Sequence, residues 1–286
     1  MIKFVIITRR QPGMTRERFF YEWATIHVSL MVHTASSMRR FRRYVQHFAN
    51  PDIGDECRVL PRAPMDWENF AEHWLDRFET YGPAPDYAEI MRPHSFSDSA
   101  MEIAYLEGQC LYRRDDFRSG GVKLIHRLVR RPGLSSEQFQ RCWRDEHAPR
   151  VIAGLKDKGL RKYEMDLRHE IDLAALRASR RGTLFDHADV NSADGFEELW
   201  FDSLDDALRL GRDPDLRPLF ASSLAGFADV ERSYSMLTHE RVVIDFVTPG
   251  ETTPLPAVLQ PGSLESTLFS HGRPYREPRP GDSATP

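Results

Sequence analysis

Residues 3–27 and 123–147 are one segment written twice, and this duplication constrains the fold more than any other feature of the chain. KFVIITRRQPGMTRERFFYEWATIH lies over KLIHRLVRRPGLSSEQFQRCWRDEH without a gap, with eight identities in 25 positions. The match continues with small shifts in offset. Arg43-Tyr44 pairs with Lys162-Tyr163, Phe70/Glu72/Trp74 with Phe196/Glu198/Trp200, and Phe96-x-Asp98 with Phe227-x-Asp229. Two homologous units follow, 1–116 and 117–246, with a tail at 247–286. A period this long is a domain duplication, since solenoid repeats run roughly 20–50 residues.

Each unit reads as strand, helix, strand, strand, helix, strand. Lys3–Thr8 and Lys123–Val129 are short apolar runs that end in Arg and Pro-Gly, the signature of a strand closing in a turn. Thr15 and Ser135 then stand where an N-cap belongs, and Ser135-x-x-Gln138 adds a capping box in the second copy only. Phe19, Trp23 and His27, like Phe139, Trp143 and His147, recur every four residues along one helical stripe. Pro149 disfavours helix at Ala148, so His147 is expected near the helix end, where the dipole favours an imidazolium. The first copy lacks this proline, and its helix is expected to run on towards Val32. Strands at about 41–48 and 160–167, and alternating strands at 70–75 and 196–201, lead to second helices (76–91 and 203–211 onwards) and last strands (102–112 and 232–244). The alternation places Phe70, Glu72 and Trp74 on one face and Ala71, His73 and Leu75 on the other.

A βαββαβ unit carries both helices on one face of a four-stranded antiparallel sheet and leaves the other face open. An apolar sheet face must be buried, so the expected fold class is α+β, two ferredoxin-like units whose sheets face each other as an intramolecular α/β barrel.

The chain resembles a tandem pair of EthD domains, of the dimeric α/β-barrel superfamily. The residues that carry the likeness are Arg-x-Pro-Gly-[Met/Leu]-[Thr/Ser]-x-Glu-x-Phe-x-x-x-Trp-x-x-x-His at 10–27 and 130–147, the RRY/RKY strand, and Phe-x-Glu-x-Trp at 70–74 and 196–200. The second unit, with Asp145-Glu146-His147-Ala148-Pro149, lies closer to the family pattern. The first has Thr25-Ile26-His27-Val28-Ser29 there and has lost the acid and the proline. The resemblance implies the fold. For function it implies a range: accessory proteins of degradation pathways, dehydratase-like or decarboxylase-like enzymes, and cofactor-free oxygenases on the same fold.

With 41% hydrophobic and 29% charged residues and a net charge of −4, the chain can bury a sizeable core and has no basic bias towards nucleic acid. Arg39-Arg40-Phe41-Arg42-Arg43 is the one compact basic run, expected as a solvated strand edge. Three cysteines without CxxC spacing argue against a disulfide framework or a zinc knuckle. No apolar span reaches the length of a membrane helix and no signal peptide is legible, so the expected compartment is the cytoplasm. Eight of the 40 tail residues are proline, which favours extended chain. The tail's apolar anchors suit it to embrace a partner subunit in a homodimer or to cover a cavity mouth.

No Gly-rich phosphate loop, HExxH or GxSxG occurs, so the expectation is catalysis without cofactor or metal, by histidine, tyrosine and carboxylate. Histidine is the side chain that titrates near neutrality. His147 and its copy His27 end the apolar helix stripes. His126 stands where Ile6 stands in the other copy, and a polar residue in a buried strand needs a partner or a task. Glu72 and Glu198 share a face with large aromatics, which would raise their pKa and suit them to acid–base work; the alternative is an inter-sheet salt bridge with Lys3, Lys123 or Arg127. Tyr163 completes the catalytic candidates. Tyr44, Glu72, Trp74, Trp200 and Arg127 are the candidates for holding substrate. His73 and His47 replace Leu199 and Asp166 and are expected on the face away from Glu72 and Tyr44. The expected function is a cofactor-independent lyase or isomerase acting on a hydrophobic, aromatic, oxygenated small molecule. The alternatives are a non-catalytic binding or accessory protein and a cofactor-free oxygenase. Because the copies differ at His126/Ile6, Leu199/His73 and Glu146/Ile26, the two pockets are expected to be unequal, with the chemistry in the second.

Overall fold

The computed structural model describes residues 1–33, 41–49, 58–61, 67–76, 96–182 and 185–248. The second helix expected in the first unit and the tail beyond Thr248 lie outside the described residues.

The first unit supplies β1 (Ile2–Arg10), β2 (Phe41–Ala49), β3 (Asn69–Leu75) and β4 (Ser97–Arg113). The second supplies β5 (Gly121–Leu128), β6 (Leu160–Arg168), a short β7 (Asp189–Val190), β8 (Gly195–Phe201) and β9 (Tyr234–Asp245). Within the units the antiparallel orders are 4-1-3-2 and 9-5-8-6. The last strand of each unit serves both sheets. β4 pairs with β1 over residues 97–106 and with β6 over 106–113, while β9 pairs with β5 over 234–240 and with β2 over 238–245. The two sheets are thereby joined along both edges into one closed eight-stranded barrel. Phe70 and Phe196, equivalent positions in the two copies, meet across its middle at 5.5 Å.

One end of the barrel interior is densely charged, beside an apolar layer that includes Val5, Ile7, Phe70, Ile125 and Phe196, which corrects the expectation of two apolar faces. Lys3 Nζ lies 2.6 Å from Asp166, 3.1 Å from Glu198, 3.2 Å from Glu164 and 3.8 Å from Glu72. Lys123 Nζ reaches Glu198 at 2.6 Å, His47 at 3.0 Å and Glu240 at 3.8 Å, and also bonds Glu72. Each lysine therefore holds the glutamate of the sister unit as well as its own. Where the second unit has Glu240 opposite His47, the first has Gly108 opposite Asp166. A Cβ on Gly108 would come within 2.6 Å of Glu164 and 2.7 Å of Asp166, so the missing side chain is the space their carboxylates use.

α1 runs from Arg16–Tyr21 through a π-helical turn, Glu22–His27, into Val28–His33. α2 repeats it with Ser136–Arg141, Cys142–His147 and Ala148–Leu155, and the capping box forms as its sequence predicts. Pro149 does not end this helix. The π turn widens the hydrogen-bond spacing just before it, so Ala148 N–H bonds back to Trp143 O and the proline's missing donor is absorbed. His147 therefore sits mid-helix and buried, and the argument from a helix terminus does not apply to it. α3 (Leu173–Arg180), α4 (Leu204–Arg212) and α5 (Leu216–Ala225) complete the described helices.

The segments linking the second and third strand of each unit are exchanged. Leu60, from the first unit's link, joins the second unit's core, and Leu176, Phe185 and Val190, from the second unit's link, join the first unit's. Buried Arg180 lies over the Phe4 and Tyr105 rings, both at 5.6 Å. Arg58 approaches Leu124 and Leu237, the counterparts of Phe4 and Tyr105, in the other unit.

Candidate active site

The helix-facing side of the second unit's sheet carries a buried polar cluster centred on Glu197. His126 on β5 is the registered partner of Glu197 on β8. Its Nδ1 lies 2.6 Å from Glu197 Oε2. His147 Nε2, from the π turn of α2, reaches Glu197 Oε1 at 2.9 Å, and Tyr163 OH on β6 donates to the same oxygen. Trp143 Nε1 donates to Tyr163 OH at 2.9 Å, and Ser223 Oγ on α5 lies 2.7 Å from His147 Nδ1. Phe220 covers both imidazoles, 5.5 Å from His126 and 4.9 Å from His147. Gly195 lets the Trp143 ring lie on the sheet, because a Cβ there would come within 2.7 Å of it.

The electrostatics of the cluster follow from its contacts. Burial works to raise the Glu197 carboxyl, but His147 and His126 outweigh it and hold the group well below the usual carboxylate range. Burial and the adjacent Glu197 charge push the Tyr163 phenol well above its ordinary value, so it donates and stays neutral. An anionic Glu197 accepts only. It therefore accepts a hydrogen bond from His126 Nδ1–H, so that whenever the ring is neutral its lone pair is on Nε2. That nitrogen is buried and has no hydrogen-bond partner among the described residues. The His126 ring borders a narrow cavity that Arg58, Leu124, Leu208, Ser235 and Leu237 also line. A carboxylate-oriented imidazole at the wall of a cavity is the arrangement of a general base.

Of the candidates named from sequence, His126, His147 and Tyr163 come together here. His27 lies in the first unit, lining a larger cavity with Trp23, Met31, His73, Phe96 and Phe185. That cavity, about 520 Å³ with its mouth, is on the side where the chemistry is not expected. Glu72, Glu198, Trp74 and Trp200 point into the barrel instead. Glu72 is not raised: burial acts that way, but Lys123 and Lys3 outweigh it and lower the carboxyl well below its ordinary value. The salt-bridge alternative for Glu72 and Glu198 describes the barrel, though not for Arg127, which pairs with Glu102 at 2.6 Å. Tyr44 and His73 are registered partners on the helix-facing side, stacked at 4.6 Å, while His47 shares the interior with Glu72; the expected grouping of Tyr44 with Glu72 and of His47 with His73 is thus corrected. Arg43, expected at a solvated edge, is buried against Asp245 at 2.9 Å.

Glu164, Asp166 and Glu198 are close enough to one another to share a metal ion. The Lys3 ammonium already stands among them, so these residues fit an internal counter-ion better than a metal. Glu197 and Arg58 escaped the sequence reading. Glu197 had a readable signal, since Ala71 holds its place in the first copy just as Ile6 holds that of His126. Two polar exchanges in register mark a pair. Arg58 gave no such signal, because it reaches the cavity from the other unit.

The EthD domain family model matches residues 11–92 and 131–231. No curated protein matches the chain. Among solved structures, a proposed monooxygenase of Lactobacillus acidophilus is 8% identical at a TM-score of 0.45, covering 84% of this chain and 94% of its own. A proposed monooxygenase of Fusobacterium nucleatum gives 8% and 0.44, with 84% and 93% covered. A mutant chlorite dismutase from Candidatus Nitrospira defluvii gives 8% and 0.41, with 83% and 90% covered. At such identity they speak to none of the chemistry.

Proposed function

The chain belongs to the EthD family, and we propose that it is an enzyme that moves a proton on a small oxygenated molecule in the second unit, with His126 as general base. The observation that carries this reading is the Glu197–His126 pair at 2.6 Å, on a ring that borders the cavity and whose Nε2 has no partner among the described residues. In this reading His126 Nε2 takes a proton from a carbon next to a carbonyl, and the Glu197 carboxylate stabilises the imidazolium that forms. Arg58, on the cavity wall, faces the negative charge that develops on the substrate oxygen. His147 and Tyr163 hold Glu197, Ser223 holds His147, and all three act as positioning residues. The leucines of the cavity favour a substrate with an apolar body. Dehydration, decarboxylation and retro-aldol cleavage all begin or end at the carbanion such a base serves.

The experiment is incorporation of solvent deuterium next to the carbonyl of aryl ketones and aryl β-hydroxy acids, read by mass spectrometry with oxygen uptake measured alongside. Incorporation without oxygen uptake supports lyase or isomerase chemistry. Uptake coupled to turnover moves the same base into a cofactor-free oxygenase. Incorporation that survives His126→Ala in a folded protein overturns the assignment.

A further inference from the structure

We propose that Asp166 and Glu198, inside the barrel, share one proton, and that this proton is a latch on the seam between the two units, given up when the seam opens as pH rises. The inference is independent of the proton-transfer reading. Glu197 and Glu198 are successive residues of β8 and point to opposite faces, the first to the helices and the second into the barrel.

The first support is the number of hydrogen-bond donors. An ammonium has three N–H groups. Lys3 Nζ gives its three to Asp166 Oδ2, Glu198 Oε2 and Glu164 Oε1. Lys123 Nζ is taken up by Glu72, by the same Glu198 oxygen and by His47 Nε2. Asp166 Oδ1 and Glu198 Oε1 are left buried, with no donor among the described residues. The two carboxyls are nonetheless in hydrogen-bonding contact with each other. Two carboxylates cannot make that bond, whereas a carboxylic acid and a carboxylate can.

The second support is the balance of charge. Among the described residues, Lys3, Lys123, Lys162 and Arg43 meet the carboxyls of Glu72, Glu164, Asp166, Glu198, Glu240 and Asp245 in this interior. Even a protonated His47, 3.1 Å from Glu240, leaves the carboxyls in excess by one. A buried charge without a counter-ion is destabilising, so one carboxyl keeps its proton. Burial works to raise Glu72 and Glu164 too, but the lysines outweigh it and hold both low, Glu164 at about 2. Asp166 goes the other way. Burial and the Glu198 charge outweigh Lys3 and push its carboxyl well above the carboxylate range.

Asp166 lies where the units join. Its registered partner is Gly108 on β4, a strand of the first unit. Ionising the pair adds a charge beside Glu164 that none of the lysine N–H groups is free to answer, so the proton belongs to the closed seam. Between the unfolded value of about 3.9 and the raised folded one, the closed seam binds the extra proton and loses stability as pH rises. The β2–β9 seam, with His47 opposite Glu240 at the matching place, is the internal control.

The test is hydrogen exchange of the whole protein, reading the protection of the β4–β6 amides relative to the β2–β9 amides at each pH. From about pH 5 to 9, opening of β4–β6 should rise relative to the control seam by up to about 10-fold per pH unit until the pair has ionised. Asp166→Asn, whose amide donates without titrating, should remove this slope, and Glu198→Gln should do the same from the other partner. Infrared spectra of protein carrying isotope-labelled aspartate and glutamate should show a protonated carboxyl at neutral pH that Asp166→Asn lacks. The latch is overturned if no protonated carboxyl is found, if the two seams keep the same relative protection throughout, or if either variant, folded by circular dichroism, retains the parent's slope. A slope abolished by chelator would also overturn it, by assigning the carboxylates to a metal ion.

Discussion

The two units keep the same frame and fill it differently. Trp23 and Trp143, His27 and His147, Tyr44 and Tyr163, and Phe96 and Phe227 are retained, so the helix stripe and the sheet it covers are the same in both. The second unit spends the space between them on a carboxylate with three hydrogen-bonding partners; the first leaves it open. A single register pair, His126 with Glu197 against Ile6 with Ala71, separates a packed acid–base centre from a cavity. Duplication here preserved architecture and divided chemistry.

The largest effect should fall on the second unit. His126→Ala and Glu197→Gln should each lower turnover by roughly 10²- to 10⁴-fold, whereas His27→Ala should leave it within a few-fold. Equal losses at His27 and His126, in proteins of normal stability, would break the comparison. Next comes stability. Glu197→Ala strands two imidazoles and a phenol, and Lys3→Met strands the carboxylates around it, so each should cost about 3–5 kcal/mol in chemical denaturation. Ala71→Ser, at the matching position of the first unit, should cost far less.

His73 offers a pH test in the first unit. Its unfolded imidazole takes a proton near 6.5, whereas the folded one, desolvated by burial, does so only at about 4. Between these values the unfolded state binds more protons, so this contribution is complete above the unfolded value and is lost as pH falls towards 4. Across that window the span is roughly 3 kcal/mol. His73→Leu, which installs the residue of the second unit, should flatten the stability curve between pH 4 and 6.5 relative to the parent; an unchanged slope would refute the buried neutral histidine. The smallest effect belongs to Pro149→Ala. Because the π turn already skips its hydrogen bond, stability should change by less than about 1 kcal/mol, against the ~3 kcal/mol that proline carries in an ordinary helix interior.

The frame was legible because its signals are local or repeated. The Pro-Gly turns, the caps at Thr15 and Ser135, the four-residue stripe and the alternating third strands all act within a few residues, and the copies check one another. The site was half legible. His126 stood out because its copy is Ile6, and the same comparison would have exposed Glu197 against Ala71. Face assignment on β2 failed because alternation gives two faces without saying which is which; the pairing of Tyr44 with His73 decides it. The charged interior failed for another reason. Lys3 and Lys123 read as strand starts, and only barrel closure, a contact between residues more than 150 positions apart such as Lys3 and Asp166, buries them together. Pro149 misled because a rule for the α-helix was applied at a π turn.

The exchanged links tie the fates of the halves together. Arg58 belongs to the first unit but borders the cavity of the second, and Phe185 belongs to the second but walls the cavity of the first. A chain cut near 113–121 would release two pieces, each lacking part of its own pocket as well as its barrel seam. Neither copy can drift freely or be dispensed with, since each is the other's missing wall; the duplication is held in place by mutual dependence.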